Sequence, residues 1–167
     1  MRAQVERIAQ RLALAPQVTE NMFGRRAQDG DNGICGQVRF EDVCLSDKKA
    51  EISRIRINKF TGGVMRKGLF TEEPLCSEVT FRIAVPQEQD RMCGLLLYAL
   101  RDLGLGLYGF GSGGAIGRGE LRGCCVEAQT PQGERAVLRF DENRQAMIED
   151  AQGLFARWLT QVKEGET

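Results

Sequence analysis

Two clusters of residues in this chain have the types and spacing for chemistry. The first is Gly109-Phe110-Gly111-Ser112-Gly113-Gly114, which continues through Gly117, Arg118 and Gly119. Glycine this dense leaves backbone N–H groups uncovered, and such groups bind phosphate oxygens without reading bases. Arg118 supplies a guanidinium for a phosphate and Ser112 a hydroxyl donor. Glycine destabilises regular structure by roughly 0.5–1 kcal/mol against alanine, so this density points to a ligand that the backbone approaches closely. A loop of tight turns is the structural alternative. The second cluster is Arg54, Arg56, Lys59, Arg66 and Lys67, a stretch with no acid among the cations. It suits a phosphate backbone, with a solvated hairpin face as its structural alternative.

The glycine string satisfies G-x-G-x-x-G, the fingerprint of a dinucleotide site. That site needs a strand before the glycines and a helix after them, so that a helix N-terminus meets the pyrophosphate. Here the periodicity places a helix before the loop and a strand after it. No Gly-Lys-Ser/Thr follows, so a Walker loop fails as well.

The rest of the composition narrows the chemistry. The 167 residues contain no histidine, which excludes Ser-His-Asp and Cys-His nucleophile systems within this chain. A general base would have to be a carboxylate, Lys, Tyr or Cys. The six cysteines, Cys35, Cys44, Cys76, Cys93, Cys124 and Cys125, form no Cys-x-x-Cys pair. We therefore expect no metal site and no cofactor, and read the thiols as reduced small core residues. Net charge is zero, from 23 basic and 23 acidic residues. That argues against a uniformly basic coat but allows local patches, because phosphate contacts act within a Debye length of about 10 Å. No apolar run approaches the ~20 residues of a membrane span, and the charged N-terminus has no signal-peptide core. The expected location is cytoplasmic, with no membrane partner.

These clusters must be positioned by a fold of one-domain size, residues 1–167. Residues 2–14 predict an amphipathic helix, with Pro16 just past its end. Residues 24–33 form a polar loop. Residues 35–45 and 78–85 read as strands. Residues 51–72 predict a long hairpin with a basic tip at Thr61-Gly62-Gly63. Residues 88–103 carry a strong apolar stripe and end at Gly104, opening the glycine-rich loop 104–119. Residues 120–128 and 135–140 read as strands joined at Pro131-Gln132-Gly133, and residues 142–162 as a closing helix. Without the hairpin the order is α-β-β-α-β. The expected fold is therefore α+β, a ferredoxin-like (RRM-type) core, β-α-β-β-α-β, whose first strand is absent.

The same residues resemble a known family. Gly109-Phe110-Gly111-Ser112-Gly113-Gly114-Ala115-Ile116-Gly117-Arg118-Gly119 is similar to the glycine-rich loop of RAMP proteins, the repeat-associated subunits of CRISPR effectors. Ile57-Asn58-Lys59-Phe60-Thr61-Gly62-Gly63, followed by Gly68-Leu69-Phe70-Thr71-Glu72-Glu73, resembles a stretch of type III backbone subunits. Met22-Phe23-Gly24 with Val38-Arg39-Phe40-Glu41-Asp42-Val43 is a third match. Asn58 stands where the family usually has Asp, and Gly36 where Ser is common. The resemblance implies an inserted thumb at 51–72 and guide-RNA contacts along the glycine loop. It also implies neighbouring effector subunits or a homo-oligomer, with base pairing to a target RNA supplying specificity.

Met1 to Ile8 is similar to the interior of the family's first helix, so the first strand and the loop after it would lie before Met1. In target-cleaving relatives the catalytic Asp lies in that stretch, and it maps onto no residue here. The expected role is a non-catalytic guide-RNA-binding subunit in antiviral defence. An endoribonuclease that uses carboxylates such as Asp42 or Asp47 is one alternative. A structural half-subunit without RNA contact is the other. The missing central strand should be supplied by a separate subunit, a domain swap, a longer chain or residues 135–140.

Overall fold

The computed structural model describes residues 1–28, 30–44, 51–74, 76–111 and 117–164. They form a mixed α+β architecture of four helices and small antiparallel sheets, compatible with a ferredoxin-like fold. The chain divides into two compact units, Met1–Arg39 with Ala84–Thr167, and Phe40–Ile83.

In the first unit, α1 (Arg2–Arg11) buries Val5 and Ala9. It stops sooner than the expected helix over 2–14. Ala13 takes a left-handed φ of 50°, and Leu14 N–H donates to the Ala9 carbonyl at 2.9 Å. Pro16 then opens a second helix, α2 (Pro16–Phe23), rather than merely following the first. Proline favours this first helical position because its ring presets φ and its missing N–H would have no helical partner there. Gly24 ends α2. Beyond it, residues 24–34 fold back through bridges Arg25↔Ile34 and Gln28↔Asp31. Arg25 pairs there with both Glu20 and Asp31.

The long helix α3 (Asp90–Gly104) buries Met92, Leu95, Leu96, Leu97, Ala99 and Leu103. Its buried Asp102 accepts from Gln4 Nε2 at 2.9 Å and from Arg101 at 2.6 Å, which ties α1 to α3. The chain ends in an antiparallel meander followed by a helix. Strands β5 (Cys125–Gln129), β6 (Arg135–Phe140) and β7 (Ala146–Glu149) pair in sequence, with Val126↔Leu138 and Leu138↔Ile148 in register. Helix α4 (Leu154–Lys163) closes the core. Leu97, Ala136, Leu138, Leu154 and Phe155 are buried together, with Val126, Phe140 and Trp158 packed around them. A Cβ on Gly94 would lie 2.5 Å from the Trp158 carbonyl oxygen, so glycine lets α4 approach α3 closely.

The second unit contains the hairpin of β2 (Ile52–Ile57) and β3 (Val64–Glu72). Where the chain leaves and re-enters the first unit, β1 (Arg39–Phe40) pairs with β4 (Ile83–Ala84).

Several expectations change. The strands over 35–45 and 78–85 shrink to two residues each, and Val79 and Phe81 are exposed rather than lining a sheet face. Residues 45–50 lie outside the described residues. The closing helix over 142–162 is instead β7 plus α4. Arg144 (φ 60°) and Gly153 (φ 72°) bend the backbone on either side of β7 and stop a helix from running through. Five of the six cysteines are exposed and only Cys93 is half-buried, so the thiols are not core residues. Burial, with Asp90 nearby, pushes the Cys93 thiol up to about 11.

Residues 135–140, one expected source of the core's central strand, pair with β5 on one side and β7 on the other. They extend the meander. The other edge of β5 has no ladder partner among the described residues.

Candidate nucleic-acid interface

The glycine-rich loop leaves α3 and is clasped at two levels. Gly123 N–H donates to the Gly104 carbonyl at 3.0 Å, and Phe110 N–H donates to the Gly119 carbonyl at 2.7 Å. Both clasps need glycine for space. The Phe140 ring lies against Gly104 and Gly123, where a Cβ would come within 2.4 and 2.6 Å of it. At Gly119 a Cβ would lie 2.2 Å from the Phe110 carbonyl oxygen. Part of the glycine density therefore serves packing, which is the structural alternative raised above.

The remaining glycines do something else. Gly106, Tyr108, Gly109, Gly117, Arg118 and Glu120 line an open cavity of about 230 Å³. A Cβ on Gly109 would make only ordinary contacts, the nearest at 3.5 Å, so packing does not account for this glycine. Its absent side chain leaves backbone facing the cavity. Tyr108 fixes the loop's base by donating from its hydroxyl to the Ala99 carbonyl at 3.1 Å. Burial, with Asp102 nearby, pushes that hydroxyl up to about 12, so it is a neutral donor at physiological pH. Arg144, from the β6–β7 turn, reaches Glu120 at 2.5 Å.

Of the loop residues named from sequence, Gly109, Gly117 and Arg118 meet at this cavity. Gly111 is exposed on the same loop. Ser112, Gly113 and Gly114 lie outside the described residues. Because α3 runs into the loop and β5 follows it, no described helix begins at these glycines. Sequence reasoning missed Tyr108, Glu120 and Arg144. Only Arg144 left a signal, since Asp141-Glu142-Asn143 is a turn composition.

The hairpin presents its cations differently. Its tip is held by Asn58, whose Oδ1 accepts from Phe60 N–H at 2.8 Å, while Asn58 N–H donates to the Gly63 carbonyl at 2.9 Å. An amide or a carboxylate oxygen serves equally as that acceptor. The Asn58 departure from the family pattern therefore preserves the turn. Arg54 pairs with Glu72 at 3.0 Å, and the Arg56 guanidinium lies 5.4 Å from the centre of the Phe70 ring. Lys59, Arg66 and Lys67 are exposed. The ladder is interrupted between Ile55↔Leu69 and Ile57↔Val64, so Arg66 and Lys67 sit on an irregular stretch, with Lys67 at φ 58°. Phe60 at the tip is 99% exposed.

Asp42 is exposed, and Asp47 lies outside the described residues. Among the described residues, no group of three or more Cys, Asp or Glu side chains could hold a metal ion. No described helix is long and apolar enough to cross a membrane.

No curated protein matches this chain. Residues 1–122, which include the hairpin, α3 and the glycine loop, match the family described as the RAMP superfamily. That family supports a CRISPR-associated role in binding RNA and, in general, other effector subunits. The matched span covers well over half of the sequence, and the chain belongs to the RAMP superfamily.

Proposed function

We propose that this chain is a non-catalytic subunit of a type III-like CRISPR effector complex that holds guide RNA by its backbone, in the cytoplasm, as part of antiviral defence. The glycine-loop cavity carries the reading. It joins exposed backbone, a neutral phenol and the Arg118 side chain within the span that matches the family. Backbone donors and arginine bind phosphates without selecting bases. That is what a guide of changing sequence requires. The exposed Phe110 ring offers a stacking surface on the same loop. The exposed hairpin cations Lys59, Arg66 and Lys67, with Arg54 and Arg56, add a second basic surface suited to guide or target RNA.

Fluorescence anisotropy of a labelled single-stranded RNA across a salt series tests this. Each phosphate contact contributes a log–log slope of about −0.7 on a single strand. Arg118→Ala should weaken binding and flatten the slope by about that amount. Gly109→Asp places a carboxylate in the cavity where the backbone tolerates a side chain, and should weaken binding further, with Gly109→Ala as its control. Sequence preference should be slight. A folded wild type that binds no RNA would overturn the reading. Metal-dependent cleavage of the RNA, abolished by Asp42→Ala, would instead establish an endoribonuclease.

A further inference from the structure

We infer that Arg144, outside the span that matches the family, is a phosphate-binding residue of the glycine-loop cavity, and that Glu120 holds its place until RNA arrives. The inference rests on the RNA reading of that cavity.

Three observations carry it. First, Arg144 occupies a backbone position that does not suit it. Its φ is 60°, in the left-handed region where glycine is the unstrained residue. Three hydrogen bonds hold the turn without using the Arg144 side chain. Arg144 N–H donates to the Asp141 carbonyl at 3.1 Å, Gln145 N–H to Asp141 Oδ1 at 2.7 Å, and Asp141 N–H to the Gln145 carbonyl at 3.0 Å. The arginine is thus not needed to make the turn.

Second, its side chain lies against two residues that line the cavity, Gly106 and Glu120. A Cβ on Gly106 would lie 3.1 Å from an Arg144 Nη, so the bare glycine makes room for the guanidinium. Gly106 and Glu120 both line the cavity, and Arg144 bonds Glu120 there at 2.5 Å.

Third, folding does not explain the pair. Its side chains are 48% and 55% exposed, and exposed ion pairs of this kind contribute little to stability. A guanidinium binds phosphate with the same two-pronged geometry it uses for carboxylate. Glu120 therefore acts as a stand-in anion that keeps Arg144 aimed into the cavity, and an RNA phosphate displaces it. With Arg118 on the lining, the phosphate is held by cations from two segments of the chain.

The test uses the full chain and the same labelled single-stranded RNA. Arg144→Gly removes the guanidinium and suits the backbone angle. It should weaken binding about threefold to tenfold and flatten the salt slope by about 0.7. Glu120→Gln removes the stand-in and should tighten binding. That gain should shrink in the Arg144→Gly background, because coupled residues do not act additively. If Arg144→Gly binds like wild type while Arg118→Ala and Gly109→Asp are impaired, the cavity reading stands and this inference falls. An equal gain from Glu120→Gln in both backgrounds overturns it as well. Should Arg144→Gly fail to fold, Glu120→Gln decides alone, and unchanged or weaker binding overturns the inference. A wild type that binds no RNA ends both readings together.

Discussion

The glycine loop and the hairpin are both candidate RNA surfaces, yet they are built on opposite principles. The loop is made of backbone. Its clasps leave no room for a Cβ at Gly119, Gly104 or Gly123, and its cavity is lined by the backbone of Gly106, Gly109 and Gly117. The hairpin is made of side chains on an exposed two-stranded ladder, with Gly62 at its tip in open space. Two-stranded ladders are marginally stable alone, so the hairpin has little packing to lose. A backbone surface should fail when an atom is added, and a side-chain surface when a charge is removed.

The sharpest break of that contrast is one substitution made twice. Gly119 and Gly62 both have positive φ, 75° and 66°. Alanine at either position meets the same left-handed strain, about 1–2 kcal/mol. At Gly119 the new methyl also overlaps the Phe110 carbonyl, whereas at Gly62 nothing lies within 4 Å. Overpacking of this kind adds typically 1–3 kcal/mol. Gly119→Ala should therefore lower stability by roughly 2–5 kcal/mol. At about 2–4 °C per kcal/mol for a chain of this size, its melting temperature should fall by several degrees or more. RNA affinity should drop about tenfold or more as the clasp opens, on the rule of 1.4 kcal/mol per factor of ten. Gly62→Ala should show only the smaller stability loss and near-wild-type binding. Equal effects at the two sites would mean that the loop is not held by its backbone clasp.

The hairpin prediction is about charge. Arg54 is paired with Glu72 and Arg56 stacks on Phe70, while Lys59, Arg66 and Lys67 stand exposed. Replacing those three by alanine should flatten the salt dependence of RNA binding by up to about 2 log–log units, from three contacts of about 0.7 each. Melting temperature should barely move. Arg54→Ala alone should change the slope less than any one of the three, because Arg54 is already engaged with Glu72 at 3.0 Å. A slope that responds to Arg54 alone would show that the ion pair opens in the complex.

The contrast also separates what was legible in the sequence from what was not. The hairpin, α3 and the β5–β6 pair were legible from their alternating or helical apolar spacing and the turn signals between them. The loop's location followed from its glycines. The division of labour among those glycines did not, because whether Gly119 serves a clasp or Gly109 a cavity depends on atoms distant in sequence. Helix α2 was missed because Pro16 marks an end and a beginning alike. Strand β7 was missed because Met147 and Ile148 continue the spacing of the Leu154 and Phe155 stripe, although both are more than half exposed on the strand. That error hid Arg144, since a turn residue was assigned to a helix. Exposed cysteines went unread for the opposite reason. Composition ranks cysteine as a core residue, and only the fold shows Cys125 exposed on the edge strand β5 and Cys124 exposed just before it.

The smallest expected effect tests whether the loop's base is a dry, fixed platform. Tyr108 donates to the Ala99 carbonyl at 3.1 Å, and burial raises its hydroxyl to about 12. Tyr108→Phe should reduce stability by about 0.5–1.5 kcal/mol, the usual net worth of one hydrogen bond. RNA binding should weaken slightly, with no change in salt slope, because no charge is lost. The pH dependence has a definite sign. The folded value lies above the ordinary tyrosine value of about 10, so Tyr108's contribution is complete below pH ~10 and is lost as pH rises toward 12. Wild type should therefore lose its stability advantage over Tyr108→Phe across that window, read as converging urea midpoints. Parallel midpoints from pH 8 to 12 would place the hydroxyl in water and the loop's base in the same wet, side-chain-built class as the hairpin.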